Sequence, residues 1–242
     1  MKNNISFNEL SLLKYFSGYI ACMDTENRFN YYVNDQCAYV TGYDNAYEIY
    51  ETRMDAIRCK AAESVPVWIE QNQLVLKTKK PIKLLDIHPY RNDEIKILLS
   101  QKTPLFDEKC NAIATLFYGT EINRNNLTKI LMNIAKLDKK YQSENNINHR
   151  SYYIGHSLKD SGLTKKEIEC LFYLVRGKTA REIGKILFIS ARTVETHIAN
   201  MKSKLGCVTK SDLIDKAVAD NLINVLPEMI FNDLQNGVSI II

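Results

Sequence analysis

The feature that most constrains this chain is a run of three helical patterns between residues 163 and 205, each with its own start signal. Thr164 with Glu167 three residues later forms a capping-box pattern, and Ser190 is a suitable N-cap for the third helix. A second, shorter helix is predicted over about 179–188, after Gly177 ends the first. Apolar side chains of the third pattern share one narrow face: Val194, Ile198, Met201 and Leu205. We therefore predict a small helical domain whose third helix is buried along one side.

The opposite face of the third pattern carries small or hydrogen-bonding side chains, which suit close approach to base edges. A helix that only faced solvent would more often carry long charged residues there. The residues are Arg192, Glu195, Thr196, Ala199, Asn200 and Ser203. The segment 176–210 also holds eight basic and two acidic residues, a net of +6 against +4 for the whole chain. Such a local excess is typical of phosphate binding.

This segment resembles the LuxR-type (GerE-like) DNA-binding domain over about 60 residues without a gap. The shared motifs are L-T-x-x-E, G-x-x-x-x-E-I, I-S-x-x-T-V-E-x-H and K-L-G. The resemblance implies four helices, with the third in the major groove of duplex DNA. The predicted DNA contacts are Lys185, Ser190, Arg192, Thr193, Glu195, Thr196, His197, Ala199, Asn200, Lys202 and Lys210. Among them, Glu195 could accept from cytosine N4 or orient a neighbouring basic side chain, and both roles stay open.

Gly184 departs from the family pattern, which often has alanine there. We expect this glycine to loosen the second helix slightly, because glycine is a poor helix former.

Two segments are candidates for pairing two copies of the chain. The fourth helix, over 210–222, is implied by the resemblance to dimerise on a two-fold operator through Leu213, Ile214 and Ala217. An a/d heptad pattern lies upstream, at Leu127, Ile130, Ile134, Leu137 and Tyr141. This helix either packs on the N-terminal domain or forms a short dimer seam, and the sequence allows both. Residues 142–150 read as a hinge.

The N-terminal half alternates between strand-like and helical patterns. The predicted elements are a helix at 7–16, a hairpin of 20–23 and 29–33, short helices within 35–56, a helix at 61–77, and strands at 82–90, 94–101 and 112–118, the last two joined by a turn at 107–111. The stretches YIACMDTENRFNYYVND, QCAYVTGYDNAYEI and TPLFDEKCNAIATLFYGTEI resemble a PAS domain. That resemblance implies an antiparallel sheet with flanking helices that senses a small molecule or mediates dimerisation.

The predicted fold class is α+β, in four parts. These are a PAS-like sensor at 1–122, a linker helix and hinge at 123–160, an all-α four-helix LuxR-type domain at 161–225, and an extension at 226–242. The apolar end of the extension is expected to dock on the protein or on a partner chain, because an exposed apolar tail is a liability.

No cofactor is identified by the sequence, and the pattern favours none. Cys37 lies outside the motif of flavin photoreceptors of this fold, and His88, in a predicted strand, reads as structural rather than as a haem ligand. The six cysteines form no C-x-x-C pair, so no metal site is expected.

Other classes fit the N-terminal half less well. An acyl-homoserine-lactone domain, as in quorum-sensing regulators, is the main alternative, but the chain has one tryptophan and no Asp-Pro dipeptide. A ligand-independent interaction module also stays open. The sequence lacks the acid and lysine set of a receiver domain, and no nucleophile elbow, P-loop or H-E-x-x-H motif indicates an enzyme.

The sequence thus predicts a homodimeric, sequence-specific transcriptional regulator that binds an inverted-repeat operator in double-stranded DNA. RNA polymerase and a small-molecule ligand of the N-terminal domain are candidate partners. No apolar run approaches the roughly 20 residues that span a bilayer, so we expect a cytoplasmic protein, nucleoid-associated when bound to DNA.

Overall fold

A computed structural model describes residues 11–122, 151–155 and 161–228. The described residues divide into two compact units. The first contains residues 11–122 together with Ser151, and the second contains residues 152–155 and 161–228.

The first unit is built on an antiparallel sheet. Its strands are β1 (Tyr19–Asp24), β2 (Tyr32–Val33), β3 (Ile82–Pro89), β4 (Ile95–Phe106) and β5 (Ala112–Glu121), and they lie side by side in the order β2-β1-β5-β4-β3. The turn between β4 and β5 closes as predicted, because the Asp107 carboxylate accepts from the backbone amides of Lys109 and Asn111.

Helical segments fill the chain between β2 and β3. They are α1 (Asp35–Val40), α2 (Ala46–Ile49) and α3 (Val65–Thr78), with 3-10 turns at Met54–Ala56 and Lys60–Ser64. The side chains of Asn34 and Asn45 cap α1 and α2 by accepting from backbone amides of the first turn. The core of the unit lies where these segments cover buried residues such as Ala21, Tyr43 and Leu98.

The predicted elements of this unit are confirmed with differences in extent, among them β4, which continues to Phe106 instead of ending at Gln101. The helix predicted over 7–16 is a 3-10 turn at Ser11–Tyr15, and residues 7–10 lie outside the described part. The return strand of the first hairpin is only β2, because the Phe29 amide donates to the Thr52 carbonyl instead of to a strand. The α-helix predicted from Ala61 starts at Val65, since Pro66 fits the first turn of a helix and the residues before it form a 3-10 turn.

The second unit contains four α-helices and a short parallel strand pair. The helices are α4 (Lys165–Leu174), α5 (Ala180–Leu187), α6 (Ala191–Leu205) and α7 (Lys210–Ala219). Capping boxes at Thr164, Thr179 and Thr209 start three of them, each with an acidic side chain three residues later. The predicted four-helix arrangement and the predicted α+β class are therefore confirmed.

A strand pair joins the two ends of the second unit. Strand β6 (Ser151–Ile154) belongs to this unit from Tyr152 onward, and it pairs with β7 (Val225–Leu226) through Tyr153 opposite Val225 and Ile154 opposite Leu226. The sequence did not indicate β6, which falls in the segment read as linker and hinge. Residues Val225, Leu226 and Pro227 are buried, so the start of the extension docks on this unit. The heptad residues Leu127, Ile130, Ile134, Leu137 and Tyr141, the hinge and the tail from residue 229 lie outside the described residues.

Candidate DNA interface and internal cavity

Helix α6 is held by one buried seam, as predicted. Val194 and Met201 are fully buried, and Ile198 and Leu205 are half-buried. The Ser190 hydroxyl caps the helix by accepting from the Thr193 amide at 3.0 Å. The seam fixes the rotation of α6, and with it the set of side chains that face outward.

The outward face of α6 presents the predicted reading residues to solvent. Those that are exposed are Arg192, Thr193, Glu195, Thr196, Ala199, Asn200 and Ser203, and His197 is half-buried. The Thr196 hydroxyl donates to the Arg192 carbonyl at 3.0 Å, and the Thr193 and Ser190 hydroxyls hydrogen-bond to each other at 2.8 Å. A hydroxyl that donates to the backbone keeps its acceptor lone pairs. Thr196 can therefore still accept a hydrogen bond from a base.

Basic residues around α6 divide into exposed and internally engaged groups. Lys185, Arg192 and Lys210 are exposed. Lys202 is half-buried and donates to the Val208 carbonyl at 3.0 Å, so it braces the turn after α6. Lys204 is also engaged, in an ion pair with the buried carboxylate of Glu167.

Arg176 has a structural role, although it is one of the eight basic residues in the segment 176–210. It is 7% exposed, and its guanidinium lies 3.6 Å from the Phe172 ring centroid. It also donates to the carbonyls of Phe172 and Ile223, at 2.9 and 3.3 Å. Arg176 therefore connects α4 to the 3-10 turn at Leu222–Asn224. Because its charge is buried, the positive charge that the segment 176–210 can present to DNA is smaller than its net charge of +6.

Gly184 is required by close packing, which corrects the expectation that it only loosens α5. A Cβ at this position would lie 2.6 Å from the Ile189 carbonyl oxygen. The Ile189 amide donates to the Gly184 carbonyl at 2.9 Å, so the turn between α5 and α6 folds directly over the glycine.

The predicted dimerisation face of α7 is corrected at two positions. Leu213 and Ala217 are fully buried within their own unit, so they have no surface to offer a second copy. Ile214 is half-buried, and Val218 is exposed on the same helix. A pairing surface on α7 would have to use Ile214 and Val218.

The first unit contains a small cavity with a volume of about 50 Å³. Most of its wall is apolar, and the two side chains with formal charge are Asp86 from β3 and Lys102 from β4. The apolar and weakly polar lining residues include Tyr19, Ala21, Met23, Phe29, Val40, Leu98, Tyr90, Trp68 and Phe117. An apolar wall with a few convergent polar groups is the usual form of a small-molecule site.

A buried hydrogen-bond cluster stands behind Asp86. Its carboxylate accepts from the hydroxyls of Ser100 and Ser151 and lies 3.7 Å from Nε2 of His88. Burial opposes the ionisation of Asp86, but His88 and the two hydroxyls outweigh it and lower the pKa of this carboxyl. The ring nitrogens of His88 also contact Ser64 at 3.1 Å and Ser151 at 3.2 Å. This geometry agrees with the structural role predicted for His88.

Of the buried polar residues in this region, His88 was predicted from the sequence, whereas Asp86 and Lys102 were not. Lys102 lies one residue beyond the predicted end of its strand. The alternation of inward and outward side chains was therefore not extended to it. Asp86 lies two residues before His88 on β3, so both side chains point to the same face of the sheet. This spacing is the sequence signal that could have identified Asp86.

Two absences concern only the described parts of the chain. Residues 11–122, 151–155 and 161–228 contain no cluster of three or more histidine, cysteine, aspartate or glutamate residues that could hold a metal ion. No helix within these ranges is both long and apolar enough to cross a membrane.

Comparison with known proteins identifies the helical segment. Residues 161–217 match the family described as bacterial regulatory proteins, luxR family. The transcriptional regulatory protein LiaR of Bacillus subtilis (strain 168) is 41% identical over 69 residues, 28% of this chain and 33% of that protein. The transcriptional activator protein LuxR of Aliivibrio fischeri is 36% identical over 77 residues, 32% of this chain and 31% of that protein. The chain thus spans about a third of the length of these two relatives.

Two further similarities extend beyond the helical segment. The oxygen regulatory protein NreC of Staphylococcus aureus (strain JH9) is 23% identical over 209 residues, 76% of this chain and 91% of that protein. Among solved structures, a Vibrio cholerae VqmA dimer in the absence of target DNA is 25% identical, with a TM-score of 0.48 and 93% of each chain covered.

Proposed function

Because residues 161–217 form a LuxR-type helix-turn-helix domain, we propose that this protein is a sequence-specific transcriptional regulator that reads duplex DNA with α6. The observation that carries the proposal is the exposed face of α6. That face holds short polar side chains and one acid, Glu195, and it is flanked by exposed basic residues.

The structure supports a division of roles among the predicted contacts. Thr196 and Ala199 are short and exposed, as base-edge contacts in a major groove require. Lys185, Arg192 and Lys210 have the exposure that phosphate contacts need, whereas Lys202 is engaged by the Val208 carbonyl. For Glu195 two roles stay open, which are to accept from cytosine N4 or to orient a neighbouring basic side chain.

We further propose that the protein acts as a homodimer on an inverted repeat, with RNA polymerase as a candidate partner. Two-fold operators match two-fold proteins, since each recognition helix reads one half-site. On α7 the accessible residues are Ile214 and Val218. A regulator of this kind works in the compartment that holds the chromosome, which is the cytoplasm of a bacterium.

The first unit is proposed to bind a small molecule in its cavity. The support is a mainly apolar wall that includes two ionisable side chains, Asp86 and Lys102. Absorbance and mass spectra of the purified full-length protein test this role, and a co-purifying molecule that is lost on filling the cavity with Val40→Phe supports it. A ligand-independent interaction module would show no such molecule and no thermal shift across a metabolite panel.

Selection of duplexes from a random library with the full-length protein tests the DNA-binding role. We expect enrichment of one inverted repeat. Thr196→Ala should then change the preference at one base position of each half-site, by about 1–3 kcal/mol if Thr196 reads that base. Thr78→Ala in the first unit is the matched control, because Thr78 is also exposed and its hydroxyl also donates to a backbone carbonyl four residues earlier, at 2.8 Å. Enrichment of no sequence, or uniform weakening by Thr196→Ala across all sequences, contradicts the assignment.

A further inference from the structure

The side chain of Lys102 is placed unusually for a lysine. It lies on β4 inside the first unit, is 3% exposed and faces the cavity together with Asp86. Its Nζ donates to the Trp68 carbonyl at 3.0 Å. Lysine is almost never fully buried unless its ammonium is paired, and neither Asp86 nor another acid lies within ion-pair distance of it among the described residues.

Burial changes the chemistry of this amine. Desolvation, which Asp86 only partly opposes, lowers the pKa of Lys102 to about 7. At pH 7 about half of the Lys102 side chains are then neutral, compared with roughly one in 2,500 for a lysine of ordinary pKa. A neutral lysine amine is a nucleophile, and a desolvated lysine in an apolar pocket is a common way to activate one.

The cavity places this amine among groups that suit one class of ligand. Its wall is mainly apolar, with residues such as Met23, Leu98 and Phe117, so a compact ligand without charged groups is favoured. The ionised carboxylate of Asp86 is in the same wall and would stabilise a cation formed at Lys102.

We propose that Lys102 is a covalent capture site for small, uncharged aldehydes or ketones that enter the cavity. The lone pair of Nζ forms a bond to the carbonyl carbon while the carbonyl π electrons move to oxygen. Proton transfer from nitrogen to oxygen gives a neutral carbinolamine. Its hydroxyl takes one proton from solvent and leaves as water while the nitrogen lone pair forms the C=N bond, which gives a protonated imine in the same wall as Asp86. Nothing is oxidised or reduced, and addition of water reverses the capture. This inference rests on the proposed ligand-binding role of the cavity and specifies the ligand class.

Reductive trapping of the full-length protein tests the proposal. The protein is treated at pH 7 with limiting butanal and cyanoborohydride, and butylation is measured at every lysine by peptide mass spectrometry. We expect Lys102 to react at least ten-fold faster than exposed lysines such as Lys83 and Lys185. Its rate should level off above about pH 8, while exposed lysines continue to gain reactivity as pH rises.

Two controls separate a built site from general reactivity. Unfolding in urea should abolish the preference for Lys102. Lys102→Met should remove the fast phase, whereas Lys83→Met, on the exposed side of the neighbouring strand, should leave it unchanged. If Lys102→Met fails to fold, the pH profile of Lys102 in the unmodified protein still decides the question.

Equal labelling of all lysines, or labelling of Lys102 slower than that of Lys83, overturns the proposal. The result is independent of the DNA-binding experiment. Fast labelling without duplex selection refutes the regulator and keeps the capture site. Duplex selection without fast labelling does the reverse.

Discussion

The two units place their charged groups in opposite ways. The first buries Asp86, His88 and Lys102, of which Asp86 and Lys102 line its cavity, and a low dielectric strengthens each electrostatic contact there. The second exposes Lys185, Arg192 and the reading face of α6 to solvent. This difference matches the two proposed roles, in which the first unit binds a small molecule in its cavity and the second binds a polyanion at its surface.

The second unit also buries some charged side chains. Glu167 and Arg176 are nearly inaccessible there. Both act within the fold, through Lys204 and Thr164 in one case and through Phe172 and Ile223 in the other. Substitution of buried and of exposed charged residues tests whether burial distinguishes charges that stabilise the fold from charges that bind DNA.

The largest effect is expected from Asp86→Ala. This change leaves His88, Ser100 and Ser151 without their common acceptor in a buried site, and removal of one partner from such a cluster typically costs about 3–5 kcal/mol. Urea denaturation of the full chain, followed by a tryptophan signal from Trp68, measures the loss. Glu108→Ala, in the exposed β4–β5 turn, is the control and should change stability little. A loss below about 1 kcal/mol for Asp86→Ala would show that the cluster is not stabilising.

A matched pair of charge removals in the second unit gives the next effect. Arg176→Met should lower the free energy of unfolding by about 1–3 kcal/mol, because the carbonyls of Phe172 and Ile223 lose their donors. Lys185→Met should leave stability unchanged, but should weaken binding to all duplexes and reduce the salt slope by about one unit.

Denaturation and a salt titration of operator binding, measured on both variants, separate the two roles. The contrast fails if Arg176→Met changes the salt slope as much as Lys185→Met, since a buried guanidinium would then be contacting phosphate.

The smallest effect concerns pH and the pair of Glu167 with Lys204. Burial of Glu167 opposes its ionisation, but hydrogen bonds from Lys204 and Thr164 prevail and lower the pKa of this carboxyl. A carboxyl with a lowered folded-state pKa stabilises the fold above its unfolded value of about 4.3, and that contribution is lost as pH falls through the folded value.

Lys204→Met should therefore reduce stability at pH 7 by about 1 kcal/mol or less, since one side of the pair is partly exposed. The difference from the unsubstituted protein should shrink below about pH 4. Denaturation midpoints at pH 7, 5 and 3.5 measure this trend. Lys216→Met, which breaks the more exposed pair of Lys216 with Asp220, is the control and should show a weaker dependence. A difference that stays constant down to pH 3.5 would rule out Glu167 as the titrating partner.

Structural elements that depend only on neighbours along the chain could be predicted from the sequence. Thr164 and Glu167 are three residues apart, so their capping box can be read directly, and the α6 seam from Val194 to Leu205 follows from helical periodicity. Strands β3 to β5 were found for the same reason, since alternation is a local property. The outward face of α6 follows from its seam, and the candidate DNA interface was therefore largely predictable.

Features that join distant parts of the chain depend on the folded structure and could not be predicted in this way. Ser151 meets Asp86 across 65 residues, and β6 pairs with a strand that begins at Val225. Burial of Leu213 and Arg176 depends on which surfaces pack together, which periodicity does not specify. The close approach at Gly184 also becomes visible only once the next turn is in place. The physical reason is common to all of them: local patterns fix the direction in which a side chain points, whereas only packing fixes what lies there.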